Sequence, residues 1–316
     1  MTAIQQTNPA VPSPARPPIA RGSVRAWVLV CRPATLSVAV APVAVGAACA
    51  HTVGSFRLGP ALAALAGALL LQVAANLAND VFDHERGADT AERLGPTRAV
   101  QSGLLSAQAV RLALAMTLGL SVLVGLYLAC VATVAVVIIG LCAIASALAY
   151  TAGPYPLGYH GLGDLFVLVF FGFVAVCGTA YVQVLAVPEL AWWCSVPVGL
   201  LATAVLVVNN VRDRETDAKA GKLTLAVRLG RRGAVAEYAA LVLLAHAVPP
   251  ALVALGKLGP LGLLPLLTLV PALRLALRVA RETGRALNAA LVQTAQLLLG
   301  NGLLLAASVA LGAGGP

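Results

Sequence analysis

The stretch Asn76-Leu77-Ala78-Asn79-Asp80-Val81-Phe82-Asp83-His84-Glu85-Arg86-Gly87-Ala88-Asp89 puts carboxylates at the end of a long apolar run. At about 100° per residue, Asn76, Asp80 and Asp83 fall within roughly a 60° arc, so one amide and two carboxylates share a face of an otherwise apolar helix. A second stretch, Asn209-Asn210-Val211-Arg212-Asp213-Arg214-Glu215-Thr216-Asp217, spaces Asn209, Asp213 and Asp217 at i, i+4 and i+8. Two such faces can close on one ligand.

The rest of the chain says where these faces lie. Of 316 residues, 60% are hydrophobic and only 10% charged, against about 25% charged in soluble domains. The fold class is an all-α polytopic membrane protein. A span needs about 20 mainly apolar residues, and nine segments qualify: Trp27–Ala50, Pro60–Phe82, Ala107–Leu128, Val131–Tyr150, Leu162–Val184, Leu190–Val211, Ala234–Leu255, Leu258–Leu277 and Leu287–Leu311. Nine helices around a central cavity are expected over residues 25–316. Residues 1–24, polar at first and rich in proline, do not read as a secretory leader and are expected to form a disordered cytoplasmic tail.

The net charge of +9 would suggest nucleic acid in a soluble protein. Here the basic residues sit between apolar spans. With the N-terminus in the cytoplasm, 19 of the 21 Lys and Arg fall on the inner side, and only Arg57 and Lys257 fall outside. Both acidic stretches then end helices on the cytoplasmic face, the second and the sixth, which suggests a repeated four-helix unit. The six cysteines show no CxxC spacing and read as small packing residues. His51 and His246 read as interfacial. His84 and His160 lie near the acidic stretches and read as ordinary polar contacts.

Five carboxylates, Asp80, Asp83, Asp89, Asp213 and Asp217, on one membrane face repel one another unless a cation sits among them. Mg²⁺ suits them, because hard oxygen ligands completed by substrate phosphates are its usual setting. Arg98, Arg212 and Lys222 would then neutralise a diphosphate leaving group. With apolar walls around them, these groups point to a long-chain isoprenoid diphosphate. Acids paired with arginines at ordinary helix ends would explain either stretch alone, but explain two equivalent stretches on one face less well. A transporter using the acids as an ion relay would place them nearer the bilayer midplane.

The chain resembles the UbiA superfamily of intramembrane prenyltransferases, and within it the 1,4-dihydroxy-2-naphthoate polyprenyltransferases of menaquinone synthesis. The resemblance is carried by Arg32-Pro33-Ala34-Thr35-Leu36, Asn79-Asp80-Val81-Phe82-Asp83, Gly87-Ala88-Asp89-Thr90, Gly95-Pro96-Thr97-Arg98-Ala99-Val100, Tyr150-Thr151-Ala152-Gly153-Pro154-Tyr155-Pro156-Leu157 and Gly161-Leu162-Gly163-Asp164. It continues in Asn209-Asn210-Val211-Arg212-Asp213, Gly221-Lys222-Leu223-Thr224-Leu225-Ala226-Val227 and Leu287-Asn288. It implies nine helices, two Asp-rich motifs holding Mg²⁺ (Asp80, Asp83, Asp89, Asp213 and Asp217), and transfer of a polyprenyl group to an aromatic acceptor. The catalytic set so implied is Asp80, Asp83, Asp213, Asp217 and Lys222. Substrate contacts are expected from Arg32, Asn76, Arg98, Tyr150, Tyr155, Asp164, Asn209, Asn210 and Arg212.

The superfamily pattern NDxxDxxxD puts a third Asp where this chain has Gly87. Asp89 replaces it through a longer spacer, as in the naphthoate subfamily. The acceptor implied is 1,4-dihydroxy-2-naphthoate, prenylated with loss of CO₂. 4-Hydroxybenzoate or homogentisate are the alternatives, since a carboxylate-binding cation beside the cavity would suit either benzoate or naphthoate. A bacterial inner membrane, with the active site facing the cytoplasm, is the expected location.

Overall fold

The computed structural model describes residues 19–54, 56–87 and 94–312, and these form helices and irregular segments with no strand among them. Residues 1–18 of the expected tail lie outside the described residues, as does Asp89; residues 19–24 are not a free tail, because Ile19 packs against the buried core and the Gly22 amide donates to the Leu104 carbonyl at 2.9 Å.

The first predicted span is two helices. Ser23 caps α1 (Val24–Cys31) by accepting the Ala26 amide. Arg32 then adopts a left-handed conformation (φ 50°), and Pro33 opens α2 (Pro33–His51). Proline fits there because the first turn has no acceptor for the missing N–H.

The first acidic stretch ends α3 (Leu58–Glu85) and the second ends α8 (Glu189–Lys219). Between them come α4 (Ala107–Val131), α5 (Ala135–Ala149), α6 (Gly163–Val167) and α7 (Ala175–Val184). After α8 follow α9 (Leu225–Ala254), α10 (Leu269–Arg281) and α11 (Leu287–Gly312).

Among the described residues eight helical stretches are long and apolar enough to cross a membrane. The one remaining predicted segment, Val131–Tyr150, is α5, at 15 residues. At 1.5 Å per residue it reaches only about 22 Å, short of a hydrocarbon core of about 30 Å.

Apolar surface drives little association between helices in lipid, so close backbone approach has to supply the packing. The predicted span Leu162–Val184 provides it through a widened π turn, Leu168–Val174, between α6 and α7. A Cβ on Gly172 would lie 2.9 Å from Gly199 Cα and 2.9 Å from the Ser195 carbonyl oxygen of α8. Neither glycine tolerates a side chain. α8 is the central helix, packed against α2, α7, α9 and α11.

Polar contacts join the helix ends in two sets. At one end Arg57, before α3, donates to the Val131 carbonyl that closes α4 (3.3 Å), and its amide donates to Gln183 Oε1 of α7 (2.6 Å). Lys257, after α9, pairs there with Glu189 of α8. At the other end Arg111 pairs with Glu85, and Arg231 caps the last carbonyls of α10. Both acidic stretches belong to this second end.

The cysteines are free, and Cys49, Cys177 and Cys194 are buried in the packing. His246, expected at the interface, is instead 3% exposed, with Nδ1 at 2.8 Å from the Val242 carbonyl and Nε2 at 2.9 Å from Thr268 Oγ1. Its apolar neighbours in sequence gave no sign of those partners on other turns.

Candidate active site

A cavity of about 410 Å³ lies between α2, α3, α5, α7 and α8. On α3 its wall runs through Gln72, Ala75, Asn76, Asn79 and Asp83. Successive helical residues are about 100° apart, so a face carrying Asn79 turns its neighbour Asp80 away. Of the expected arc of Asn76, Asp80 and Asp83, the first and last line the cavity and Asp80 does not.

Asp80 is 1% exposed and is not part of the cavity wall. Its carboxylate accepts the amides of Val100 (2.8 Å) and Ala99 (3.2 Å) in the loop that follows α3. That loop delivers Arg98, whose Nη2 donates to Asp83 Oδ2 at 2.9 Å with both side chains buried. The helix itself stops at Gly87, which is left-handed at φ 70°. A third Asp in the superfamily position would have to adopt that conformation, which glycine takes without penalty.

The second motif meets the expectation more directly. Asn209, Asp213 and Asp217 all line the cavity. α8 ends in a Schellman turn: the Lys222 amide donates to the Asp217 carbonyl (2.8 Å), with Gly221 left-handed at φ 72°. The turn folds Lys222 back onto the cavity wall beside Asp217.

Arg212 does not line this cavity. It forks onto Asp213, Nε to Oδ1 at 2.8 Å and Nη2 to Oδ2 at 2.5 Å, and also donates to Asn209 Oδ1 (2.7 Å) and Asn288 Oδ1 (2.9 Å). Asn210, on another face of α8, is buried outside the cavity. A second cavity of about 810 Å³ is bordered by Arg25, Arg32, Asn209, Arg212 and Asn288.

Tyr159, which sequence reasoning passed over, links the two motifs. Its hydroxyl donates to Asp83 Oδ1 (3.0 Å), and its ring centroid lies 5.3 Å from Lys222 Nζ and 5.6 Å from the Arg86 guanidinium carbon. Its carbonyl accepts the Leu223 amide at 2.9 Å. Tyr155, the expected residue, is 58% exposed and stacks on His160 with centroids 3.6 Å apart, away from the cavity.

Tyr150 does line the cavity. Asp164 is buried behind the wall, with Oδ1 lacking a hydrogen-bond partner and its carbonyl 3.4 Å from Thr203 Oγ1. Arg32 lines both cavities. Asn76 faces the main one, but its amide donates to the Cys31 carbonyl (3.0 Å) and Thr35 Oγ1 (3.2 Å), which fixes the break before α2.

The donor set fits a hard divalent cation. Asp83, Asp213 and Asp217 are joined on the wall by Asn79, whose buried Oδ1 has no hydrogen-bond partner. All are oxygen ligands. They line the wall from two helices, and among the described residues no three acidic, His or Cys side chains form a ready metal cluster. A hard cation bound through one or two carboxylates is usually completed by substrate phosphates. Most of the rest of the wall, including Val124, Leu128, Ile139, Phe170 and Val174, is apolar, interrupted by Thr35, Ser121, Ser146, Thr179 and Tyr181.

Residues 39–299 match the UbiA prenyltransferase family. The 1,4-dihydroxy-2-naphthoate octaprenyltransferase of Haemophilus influenzae is 41% identical over 243 residues, 72% of this chain and 79% of that one. The enzyme of the same description from Mycobacterium tuberculosis is 45% identical over 204 residues, 65% of this chain and 70% of that one. Among solved structures, a UbiA homolog from Aeropyrum pernix K1 superposes with TM-score 0.66 at 20% identity, covering 84% of this chain and 96% of that one. A UbiA homolog from Archaeoglobus fulgidus bound to GPP and Mg²⁺ gives 0.61 at 16% identity, covering 89% and 99%.

Proposed function

Because the chain belongs to the UbiA prenyltransferase family, we infer that it transfers a polyprenyl group from polyprenyl diphosphate to 1,4-dihydroxy-2-naphthoate, releasing diphosphate and CO₂ and yielding demethylmenaquinol. One observation carries the donor half of this reading: two acidic faces from distant parts of the chain line one cavity whose remaining wall is mainly apolar. The acceptor half rests on the similarity to naphthoate octaprenyltransferases.

The allylic C–O bond breaks and its electron pair leaves with the diphosphate. The ring carbon that bears the carboxyl group attacks the allylic carbon, and departure of CO₂ returns its bonding electrons to the ring. Asn79, Asp83, Asp213 and Asp217 would hold Mg²⁺, which when bound supplies positive charge against the departing diphosphate. Arg98 and Lys222 add fixed positive charge at the same end. Tyr159 orients Asp83, and Tyr150 presents its side chain to the cavity. The apolar wall houses the chain and keeps water from the allylic cation.

The bias of Lys and Arg supports an N-terminus in the cytoplasm, α5 as a ninth crossing, and an active site on the cytoplasmic face of a bacterial inner membrane. Residues 25–316 act as one catalytic unit, with 1–18 as a tail. The test is purified protein with radiolabelled polyprenyl diphosphate, Mg²⁺, and naphthoate and 4-hydroxybenzoate in competition. Prenylated naphthoate with stoichiometric CO₂ is expected. Prenylated hydroxybenzoate that keeps its carboxyl would move the chain to the ubiquinone-type reaction.

A further inference from the structure

We propose that Asn288, in the first turn of α11, is a positioning residue that locks the Arg98 loop to the second acidic motif. The proposal rests on the prenyl-transfer reading. Asn288 Oδ1 accepts from Arg212 Nη1 at 2.9 Å, and its Nδ2 donates to the Leu94 carbonyl at 3.0 Å. Arg212 can only donate and a carbonyl can only accept, so the orientation of the amide is fixed by its partners.

The two contacts reach different halves of the site. Arg212 forks onto Asp213 and holds Asn209, so Asn288 is tied to the face of α8. Leu94 begins the segment that carries Arg98 to Asp83. That segment is anchored at its far end by the Ala99 and Val100 amides on Asp80. Between the anchors lie Gly95 and Pro96, and the glycine permits many backbone conformations. The near anchor therefore decides how closely Arg98 approaches Asp83.

The backbone of Asn288 is itself fixed. Leu287 and Ala290 on either side are fully buried, and α11 packs along α2 and α8. One amide thus relates the second motif to the loop serving the first, and sets the separation of charges that one diphosphate must bridge.

Two variants divide the contacts. Asn288→Asp keeps an acceptor for Arg212 but cannot donate to Leu94, and Asn288→Leu removes both. Hydrogen exchange of metal-free, substrate-free protein in detergent reads the anchor directly. Both variants are expected to exchange the amides of Gly95, Thr97 and Arg98 faster, with the spans unchanged. In turnover, half-saturating Mg²⁺ and the KM for polyprenyl diphosphate should rise about 10- to 100-fold, as for other groups that orient metal ligands, while the KM for the naphthoate stays the same.

Unchanged exchange at 95–98 in both variants would overturn the proposal. So would faster exchange spread over every helix, with kcat falling in step with the folded fraction and both KM values constant. If the wild-type protein prenylates no acceptor, the functional reading falls, and the exchange experiment still decides whether Asn288 anchors the loop.

Discussion

Asp80 Oδ1 accepts the Val100 amide at 2.8 Å, so the carboxylate that dominates the first motif in the sequence is engaged with backbone rather than facing the cavity. Its other oxygen takes the Ala99 amide at 3.2 Å. Asp83, three residues on, turns to the cavity under Arg98 and Tyr159.

The two acids should therefore fail differently. Asp83→Asn is expected to lower kcat by about 10² or more, the usual loss when one preorganised charge-stabilising group goes. Asp80→Asn retains one acceptor for the two amides and should lower the unfolding temperature, with a smaller loss of kcat. Asp80→Ala strands both buried amides at about 1–3 kcal/mol each, and should destabilise the protein further. Thermal unfolding beside initial rates distinguishes the two roles; equal kcat losses with unchanged unfolding temperatures would return Asp80 to the reacting site.

Arg212 and Asp213 are a buried bidentate pair, and substitution of Arg212 tests whether geometry or charge matters there. Lysine keeps the charge but cannot reproduce the fork or reach Asn209 and Asn288 together. Arg212→Ala leaves the Asp213 carboxylate buried without its partner, a loss of about 3–5 kcal/mol. Arg212→Lys should fall between wild type and alanine in unfolding temperature, with activity well below wild type. Full activity in Arg212→Lys would mean that only the charge is used.

How much of this could be read from the chain depends on whether a residue's partner is near it in sequence. Asp213 and Asp217 were legible because helical spacing alone puts them on one face. Asn79 and Asp80 differ by one residue, and only the position of the Ala99 and Val100 amides, about twenty residues on, decides which of them meets the cavity. The break at Arg32 is stabilised by Asn76 from another helix, so an apolar run from Trp27 to Ala50 concealed it. Tyr155 and Tyr159 sit in the same short loop, and composition offered nothing to separate them.

Those two tyrosines make a paired prediction. Tyr159→Phe removes the donor to Asp83 while keeping the ring beside Lys222 and Arg86. A hydrogen bond to a charged group contributes about 1.5–3 kcal/mol, so kcat/KM should drop by roughly tenfold or more. Tyr155→Phe should leave kinetics unchanged, because its hydroxyl is remote from the cavity wall. A reversed ranking would show that the loop rearranges when substrate binds.

The last prediction concerns Asn79, whose Oδ1 is buried on the cavity wall without a donor. A buried acceptor lacking a partner destabilises a fold by about 1–3 kcal/mol, and a hard cation would relieve that cost. Stability and function should then move in opposite directions in Asn79→Leu, which replaces the amide with an apolar group of similar volume. In EDTA the variant should unfold at the same temperature as wild type or higher, while in turnover its half-saturating Mg²⁺ should rise about 10- to 100-fold. Wild-type activity itself should vanish on chelation and return with Mg²⁺. Full turnover in excess EDTA would remove the metal from the mechanism. A lower unfolding temperature in EDTA with an unchanged Mg²⁺ curve would mean that the Asn79 oxygen serves the protein and not the ion.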